Sequence, residues 1–585
     1  MMEGNDLREN IDAMSHYEQW LNQPHLPDNL KAELQAIEGN VSEITARFGA
    51  NLDFGTGGLR GVMGAGLNRL NIYTIRRATR ALAEHVLAKV PDARHRGVAI
   101  GYDCRHNSAL FANIAGRTLA AAGVKAYVSP VLCPTPELSF AVRQLRAAAG
   151  VMITASHNPP AYNGYKVYNE HGGQVLEDDA ADIRDRMIAI GNIFDVPMLE
   201  EADAVEQGLL LTTPIAVRHR YLDEIVQLVK DISVGQHARH QLGIVYTPLH
   251  GTGLVPVREA LERAGYSDVH VLEAQAEENG DFPTVKSPNP EEPEALDMAI
   301  QAATARGAEL VMGTDPDADR VGIAVRTKSG RMQLLTGNQV GALLVDYACT
   351  KLAEQRHVTN PIVFKTIVTS DFGAEIARSA GIAVEETLTG FKYIGDRITA
   401  HEQAGTHQLL LGYEESYGYL LAPIVRDKDA VQTCLAIAEM AAFHRQNGLT
   451  LVDRIEALYK TYGYFQEDLL NIALEGDDGV ARMQKVLADL RQQPLVVEGM
   501  DLLYVEDYLT GIRHFIHADK SDERLTLPKS DVQKFVYESG DWVAIRPSGT
   551  EPKMKVYAAV RGASHADAKQ RLASLVEAVQ KRVQL

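Results

Sequence analysis

Two polar loops in this sequence carry residues that can perform chemistry. The apolar run Val151-Met-Ile153 ends in Thr154-Ala-Ser-His-Asn-Pro159, which places the Ser156 hydroxyl at the exit of a predicted strand, where α/β proteins form their active sites. A second apolar run, Ala308–Gly313, ends in Thr314-Asp-Pro-Asp-Ala-Asp-Arg320. The alternating carboxylates of this loop are hard oxygen ligands for a divalent cation. A hydroxyl nucleophile and a metal loop, each at a strand end, together indicate phosphoryl transfer.

The Ser156 loop has two other interpretations. Ser156 and Asn158 are residue types that favour a helix cap, and His157 suggests a serine hydrolase. A neighbour in sequence seldom points into the same hydrogen bond, however, and no Gly-x-Ser-x-Gly elbow surrounds Ser156. The hydrolase interpretation is therefore disfavoured, while the helix cap stays open.

The acidic loop resembles the start of an EF-hand, with Asp315, Asp317 and Asp319 at alternate positions. Arg320 stands at the sixth position instead of Gly, and Arg326 at the twelfth instead of Glu, which excludes a calcium loop of that type. An aspartyl nucleophile and a solvated acidic turn are alternatives. A metal site is favoured over the acidic turn because an apolar strand precedes the loop and an arginine is attached to it.

Three more loops suit phosphate or sugar binding. The glycine-rich run Phe54–Gly61 can bring backbone amides near a phosphate while Arg60 adds charge. Arg546-Pro-Ser-Gly-Thr550 offers a guanidinium and two hydroxyls for a phosphate that is held but not transferred. Gly412-Tyr-Glu-Glu-Ser416 offers acceptors and a donor for vicinal hydroxyls. No Gly-Lys dipeptide or dinucleotide fingerprint occurs, so dependence on a nucleoside triphosphate is not expected.

Short β-rich runs that alternate with Ala-rich segments are the elements that must position these loops. They predict βαβ units with mostly parallel sheets. The predicted strands cover residues 97–101, 150–153, 243–246, 309–312, 362–364 and 408–411. Strand followed by polar loop recurs in three successive blocks, which predicts a tandem of similar α/β domains before a smaller α+β unit.

The pattern predicts five segments. They are an N-terminal extension with two short amphipathic helices that pack onto the rest (residues 1–45), a nucleophile domain (46–208), a metal-binding domain (209–325), a sugar-binding domain (326–455) and a phosphate-binding domain (456–585). The stretch from Gly208 to Pro214 is the predicted first junction.

Composition narrows the class of protein. The 585 residues correspond to about four domains of ordinary size. A hydrophobic content of 45% and a charged content of 23% are typical of a globular protein. The net charge of −19 disfavours nucleic acid and anionic membranes as partners. The N-terminal sequence lacks an apolar core like that of a secretory signal, so we expect a cytoplasmic location.

In this order the loops resemble those of the α-D-phosphohexomutase superfamily, in its long phosphoglucomutase and phosphopentomutase branch. Thr154–Pro159 is similar to the phosphoserine loop, Asp315–Arg320 to the magnesium loop, Gly412–Ser416 to the sugar loop and Arg546–Thr550 to the phosphate loop. The resemblance implies an α/β fold with four domains around a central cleft. Three would be similar α/β domains, and the C-terminal one an α+β domain like the TATA-box-binding protein.

The resemblance also implies roles for individual residues. Ser156 would be the phosphorylated nucleophile and, with the three aspartates, a ligand of one Mg²⁺ per active site. Arg320 would steady the transferring group, and Arg60, Lys166 and Lys392 would act near the nucleophile, a lysine serving as base if its pKa is depressed. The substrate-binding residues would be His157, Thr389, Gly390, Glu414, Ser416, Arg546, Ser548, Gly549 and Thr550.

The implied reaction is the interconversion of glucose 1-phosphate and glucose 6-phosphate. It would run through a reorienting glucose 1,6-bisphosphate, which also serves as the activating primer. Pentose and mannose phosphates are alternative substrates, because binding through one phosphate and a pair of hydroxyls leaves C2 of the sugar poorly recognised. Tyr417 and Gly418 follow the sugar loop where the bacterial phosphomannomutase/phosphoglucomutase pattern has a His, which leaves the general acid/base residue open. An aspartyl-phosphate phosphotransferase and a sugar-phosphate sensor remain as alternatives, and we expect a monomer or a homodimer.

Overall fold

The computed structural model describes residues 13–55, 57–473, 479–516, 520–547 and 553–583. The contacts within these ranges divide them into two compact units. Unit 1 comprises the described residues up to Leu335 together with Ile394–Thr406 and Tyr417–Gln446. Unit 2 comprises Thr336–Tyr393, His407–Ser416 and the described residues from Asn447 onwards. None of the helices in these ranges combines the length and the apolar content that a bilayer crossing requires.

Three helices precede the first sheet, which corrects the predicted number of two. They are α1 (Ala13–Leu21), α2 (Asp28–Ala36) and α3 (Val41–Phe48). The third helix is capped by Asn40, whose side chain accepts a hydrogen bond of 3.2 Å from the Glu43 amide. Ile44 and Phe48 lie one turn apart and are both buried. The prediction missed α3 because this short helix straddles the boundary placed at residue 45.

The predicted packing of this extension is confirmed for its described part. The Trp20 ring is 1% exposed and meets the rings of Phe48, Tyr73 and Phe194 edge to face, with centroids 5.2 to 5.7 Å apart. These helices therefore pack onto the α/β region that follows them. Residues 1–12 of the predicted extension lie outside the described residues.

The first sheet of unit 1 has six strands in the order β1-β5-β4-β2-β3-β6. Its strands are β1 (Gly58–Val62), β2 (Val98–Tyr102), β3 (Ala126–Val128), β4 (Ala149–Ile153), β5 (Tyr162–Tyr168) and β6 (Leu210–Thr212). Its helices are α4 (Ile72–Lys89), α5 (Ala93–Arg96), α6 (Ser108–Ala121), α7 (Thr135–Leu145), α8 (Glu177–Ala189) and α9 (Glu201–Glu206). Strands β4, β2, β3 and β6 are parallel, while β5 is antiparallel to both neighbours. The sheet runs on to Thr212, past the predicted boundary at residue 208.

The second sheet of unit 1 has five strands in the order β11-β10-β9-β7-β8. Its strands are β7 (Ile244–Thr247), β8 (Val269–Val271), β9 (Leu310–Thr314), β10 (Val321–Arg326) and β11 (Met332–Leu335). Its helices are α10 (Ala216–Val229), α11 (Gln236–Gln241), α12 (Leu254–Ala264) and α13 (Pro293–Arg306). Strands β9 and β10 form an antiparallel hairpin, so the acidic loop is the tip of a rigid turn.

Unit 2 contains a parallel sheet in the order β13-β12-β14. The elements of this stretch of the chain are α14 (Gly337–Tyr347), α15 (Ala353–Gln355), β12 (Pro361–Thr366), α16 (Asp371–Ser379), β13 (Ala383–Thr387), α17 (Phe391–Ala404) and β14 (Gln408–Tyr413). The chain then returns to unit 1 in β15 (Tyr419–Leu420) and α18 (Ala430–Gln446). With β12 and β14, all six predicted strands are confirmed.

The last sheet of unit 2 is antiparallel, in the order β16-β22-β21-β20-β17-β18-β19. Its strands are β16 (Tyr464–Ala473), β17 (Leu502–Asp507), β18 (Ile512–Phe515), β19 (Glu523–Arg524), β20 (Gln533–Tyr537), β21 (Trp542–Pro547) and β22 (Lys553–Gly562). The helices around it are α19 (Leu451–Tyr462), α20 (Gly479–Gln492) and α21 (His565–Val583). This arrangement confirms the predicted C-terminal α+β unit.

Candidate active site

Ser156 lies three residues after β4 and is 3% exposed. Its Oγ donates a hydrogen bond of 2.7 Å to Asp315 Oδ2, and its amide donates one of 2.8 Å to Thr154 Oγ1. The backbone of Ser156 has a φ of +53°, a left-handed conformation that only a tightly packed loop maintains for a serine. The loop continues into β5 and not into a helix, so the helix-cap interpretation is wrong.

Arg105 holds this loop in place. Its guanidinium donates to the carbonyls of Ser156 (2.6 Å), Pro159 (2.9 Å) and Tyr162 (3.0 Å), and also to that of Asn158. The side chain is fully buried. Because the planar guanidinium of Arg105 binds several carbonyls of one turn, it fixes the backbone that carries Ser156.

The acidic loop supplies three buried carboxylates. Asp315 and Asp317 are 0% exposed and Asp319 is 1% exposed. One ligand oxygen of each lies within 4.8 Å of the others. Asp315 Oδ1 accepts the amides of Asp319 and Arg320, each at 3.0 Å, so the loop folds around its first carboxylate.

These carboxylates fit a divalent cation. Asp317 Oδ1 and Asp319 Oδ1 are buried and accept no hydrogen bond from any group in the described ranges. Burial and then the charges of Asp319 and Asp317 hold the pKa of Asp315 well above its ordinary value. Clustered, desolvated and partly unsatisfied oxygens of this kind are a donor set for a hard metal ion.

Cations surround the carboxylates. Lys166 Nζ, from β5, lies 2.8 Å from Asp317 Oδ2 and 3.5 Å from Asp319 Oδ2. Burial alone would lower the pKa of Lys166, but the two aspartates raise it above its ordinary value. This direction is the opposite of what the base role expected for Lys166 requires. Lys428 Nζ is a second ammonium, 3.1 Å from Asp319 Oδ2.

The two predicted arginines also lie at this site. Arg60, on β1, donates to Asn158 Oδ1 at 3.2 Å. The Arg320 guanidinium pairs with Glu291, and its Nε lies 3.8 Å from Asp319 Oδ1. Both guanidinium groups therefore contact the loops that carry Ser156 and the aspartates.

His157 corrects one expectation about the loop geometry. Its Nδ1 lies 3.2 Å from Ser156 Oγ, although neighbouring residues seldom share a hydrogen bond. Burial, followed by the charges of Arg320 and Arg60, holds the pKa of His157 well below its ordinary value. The ring is therefore neutral, and Ser156 Oγ directs its hydrogen bond to Asp315.

The predicted sugar-binding residues lie in unit 2. Glu414 follows β14 and is 5% exposed, and its Oε1 accepts the Gly390 amide at 3.1 Å. The Thr389–Gly390 turn and the Glu414 loop are thereby brought together. Lys392, at the start of α17, lies over the Tyr393 ring with its Nζ 5.0 Å from the centroid. Ser416 is partly exposed.

Arg546, on β21, is the described member of the predicted phosphate loop. It donates to the Tyr557 hydroxyl at 3.2 Å, while its Nε is buried without a hydrogen bond to any described group. Burial and the charge of Glu415 raise the pKa of Tyr557 to about 12, so the hydroxyl stays protonated. The predicted residues Ser548, Gly549 and Thr550 lie outside the described residues.

Profiles of all four domains of one protein family match the chain in order. Domain I of phosphoglucomutase/phosphomannomutase, an alpha/beta/alpha domain, matches residues 51–193, and domain II matches 219–330. Domain III matches residues 336–462, and the C-terminal domain matches 469–578. The chain belongs to the phosphoglucomutase/phosphomannomutase family.

Curated members of this family are similar over most of their length. The phosphoglucomutase of Staphylococcus saprophyticus is 38% identical over 517 residues, which cover 88% of this chain and 91% of the relative. That of Staphylococcus aureus strain USA300 is 36% identical over 535 residues, covering 90% and 93%.

Solved structures of the family share the fold. A phosphoglucomutase/phosphomannomutase family protein from Burkholderia thailandensis superposes with a TM-score of 0.65 at 18% identity, over 90% of this chain and 97% of that one. The open form of parafusin from Paramecium gives a TM-score of 0.65 at 17% identity, over 92% and 95%. The four-domain composition implied by the sequence motifs is thus confirmed.

Sequence reasoning missed two residues of this family member's candidate site. Arg105 follows β2 in Gly101-Tyr-Asp-Cys-Arg105, so the strand-end rule that selected Ser156 would also have selected it. Lys428 lies in the charged run Arg426-Asp-Lys-Asp429, directly after an apolar segment. A charged run in that position is a candidate for a functional loop, but only the fold brings Lys428 to Asp319.

Proposed function

We propose that this member of the family is a phosphoglucomutase that interconverts glucose 1-phosphate and glucose 6-phosphate through a phosphorylated Ser156. The observation that carries the proposal is the 2.7 Å hydrogen bond from Ser156 Oγ to Asp315 Oδ2 inside the cluster of buried carboxylates and cations. The proposed activity is that of the curated relatives, and this cluster supports the proposed mechanism.

Asp315, Asp317 and Asp319 would hold the metal ion, which we propose to be a single Mg²⁺. When bound, such an ion withdraws charge from the transferring phosphoryl group. Lys166, Lys428 and Arg320 already balance the carboxylate charges. We therefore assign these residues to stabilising the charge of the phosphoryl group as well.

The reaction exchanges one P–O bond for another. The bond between Ser156 Oγ and phosphorus breaks, a bond from phosphorus to a sugar hydroxyl oxygen forms, and the hydroxyl proton passes to a base. The return step breaks the other ester of glucose 1,6-bisphosphate and restores phosphoserine. Since the pKa of Lys166 is raised, we assign Lys166 to charge stabilisation and Lys392 to proton transfer. Added glucose 1,6-bisphosphate would phosphorylate Ser156 in enzyme molecules that have lost the phosphate from this residue.

The bisphosphate intermediate must be bound in two opposite orientations. Recognition must therefore use groups that occupy nearly the same positions in both orientations. A clamped phosphate and a pair of vicinal hydroxyls satisfy this requirement. We assign Glu414, Ser416 and the Thr389–Gly390 turn to the hydroxyls. We assign Arg546 and the neighbouring Ser548, Gly549 and Thr550 to the phosphate, and His157 to substrate at the transferring end.

The test combines mass spectrometry with one substitution. Purified protein is expected to carry an acid-stable phosphate on Ser156, and Ser156→Ala is expected to lower kcat in a coupled glucose 6-phosphate assay by at least about 10⁴-fold. Ser574→Ala is the matched control, because the Ser574 hydroxyl donates within α21 to the Gln570 carbonyl. Full activity of Ser156→Ala, or a hydroxylamine-labile phosphate on an aspartate, would reject the proposal.

A further inference from the structure

A cavity of about 410 Å³ in unit 1 is lined by Arg96, Arg143, Arg146, Glu170 and His171. This volume lies within the range of about 300 to 1,000 Å³ that is usual for small-molecule sites. Three arginines face one glutamate there, although the chain as a whole carries a net charge of −19. The cavity is therefore a local positive site on an acidic protein.

Arg96 braces the cavity wall. Its Nε and NH2 donate to the carbonyls of Arg146 (2.9 Å) and Ala147 (3.1 Å), and NH2 lies 2.7 Å from the Glu170 carboxylate. Because Arg96 satisfies these carbonyls beyond α7 and neutralises Glu170, the other two guanidinium groups are not needed for either task.

Arg143 and Arg146 are the groups that a ligand can reach. Arg143 donates to the His171 carbonyl at 3.1 Å. The Glu402 carboxylate lies 3.8 Å from the Arg143 guanidinium and already pairs with Arg426. Within the described ranges, no ion pair involves the exposed Arg146 side chain. Two guanidinium forks beside one cavity match the oxygen pattern of a phosphate group.

Two rigid elements join this cavity to the candidate active site. Helix α7 begins at Thr135, which donates to Asp317 Oδ2 at 2.8 Å, and ends at Leu145, directly before Arg146. The helix has 11 residues, a length of about 16 Å. Strand β5 carries Lys166, which contacts Asp317, and leads directly to Glu170 and His171. Two elements therefore run from the cavity to the same carboxylate, that of Asp317.

We propose that this cavity binds a phosphate-bearing small molecule and that its occupancy changes turnover at Ser156. The positive charge and size of the cavity select the ligand class, and α7 and β5 provide the mechanical coupling. Binding at this cavity does not rest on the proposed function, since it involves none of the residues assigned to the reaction, whereas the change in turnover does rest on it.

The probes are inorganic phosphate and adenosine 5′-monophosphate, titrated into the full-length protein by calorimetry. We expect a binding site in wild type that is weakened at least about tenfold in Arg146→Gly, the loss of one charge-assisted contact. Arg146 has a φ of +51°, which suits glycine, so this variant keeps the end of α7 intact. Arg143→Gln is a second variant, and Arg258→Ala, an exposed arginine on α12, is the matched control.

The kinetic arm uses saturating glucose 1-phosphate, which displaces probes that compete at the active site. We expect at least one probe to change kcat about twofold or more, in wild type and Arg258→Ala but not in Arg146→Gly. Purely competitive behaviour, equal binding by wild type and Arg146→Gly, or binding without a change in kcat would overturn the proposal. Phosphorylation of Ser156, followed by mass spectrometry in each variant, reports separately on the proposed function.

Discussion

The candidate residues of unit 1 and unit 2 are held in different ways. In unit 1, Ser156 and the aspartates contact ionised partners, as in the 2.8 Å pair between Lys166 and Asp317. In unit 2, Glu414 accepts a backbone amide and Arg546 donates to a neutral tyrosine hydroxyl. The charged groups around Ser156 are thus paired with one another, whereas Glu414 and Arg546 have neutral groups among their partners.

This difference has an energetic basis. Buried charges are stable only when paired, because an isolated ion loses its hydration without compensation. A site that stabilises a transferring phosphoryl group must therefore bring its own counter-charges. A site that binds hydroxyl groups needs only neutral or singly charged hydrogen-bonding partners, whose individual contributions are modest. Changes at the aspartates and their cations in unit 1 should accordingly affect kcat, and changes at Glu414 or Arg546 in unit 2 should affect KM.

Among the substitutions that test this comparison, and after Ser156→Ala, the largest effect is expected from Asp317→Asn in unit 1. The amide oxygen can replace Oδ2 towards Lys166 and Thr135, but the amide nitrogen then takes the position of the unsatisfied Oδ1. We expect kcat to fall about 10³-fold, the loss of several kcal/mol of metal stabilisation, and the Mg²⁺ concentration for half-maximal activity to rise. A metal titration of the coupled assay measures both. An unchanged Mg²⁺ requirement would contradict the assignment of Asp317 as a ligand.

Lys428→Met should have the next largest effect. The substitution keeps a long side chain but removes the ammonium 3.1 Å from Asp319 Oδ2. We expect kcat to fall about 10- to 100-fold with little change in KM, since one charge contact of this kind contributes about 1.4 to 2.7 kcal/mol in the transition state. Lys89→Met is the control, because Lys89 is an exposed lysine that pairs with Asp179. A rise in KM with an unchanged kcat would place Lys428 in recognition and contradict the comparison.

In unit 2, Glu414→Gln should change recognition but not chemistry. The glutamine oxygen still accepts the Gly390 amide, so the loop geometry is retained. Loss of the negative charge weakens the hydrogen bond to a sugar hydroxyl, and we expect KM to rise about tenfold with kcat nearly constant. Glu415→Gln makes the same change one residue away, where the carboxylate binds the Thr366 and Thr369 hydroxyls, and should alter KM less. Equal effects of the two variants would contradict the assignment of Glu414.

The smallest effect on activity, with a clear effect on stability, is expected from Glu467→Gln in unit 2. Burial raises the pKa of Glu467 from 4.5 to about 7. As pH rises from 4.5 to 7, the unfolded state ionises before the folded one, so stability falls by up to about 3 kcal/mol and then stays constant. In Glu467→Gln, the free energy of unfolding should no longer decrease over this pH range for this reason. Urea unfolding of a Trp20→Phe background, in which only Trp542 of unit 2 reports, measures it. A wild-type stability that is flat over this range would contradict the shift.

Much of the fold could be predicted because the sequence repeats a simple physical pattern. All six predicted strands formed, since short β-rich runs bounded by helical segments leave few alternatives. The third N-terminal helix was missed because its single capping residue, Asn40, and its two buried positions form a weak local signal. The antiparallel hairpin of β9 and β10 was also missed, because strand direction depends on pairing partners and not on composition.

The sequence by itself determined which loops we propose for the chemistry, because phosphoryl transfer needs a nucleophile, oxygen ligands and cations, and few residue types provide them. It could not determine that Lys428 joins Asp319, that Arg105 holds the Ser156 loop, or that the pKa of Lys166 is raised. These facts depend on distances of about 3 Å between residues far apart in the chain. Coulomb and hydrogen-bond energies act through space at such distances, and only the tertiary structure sets them.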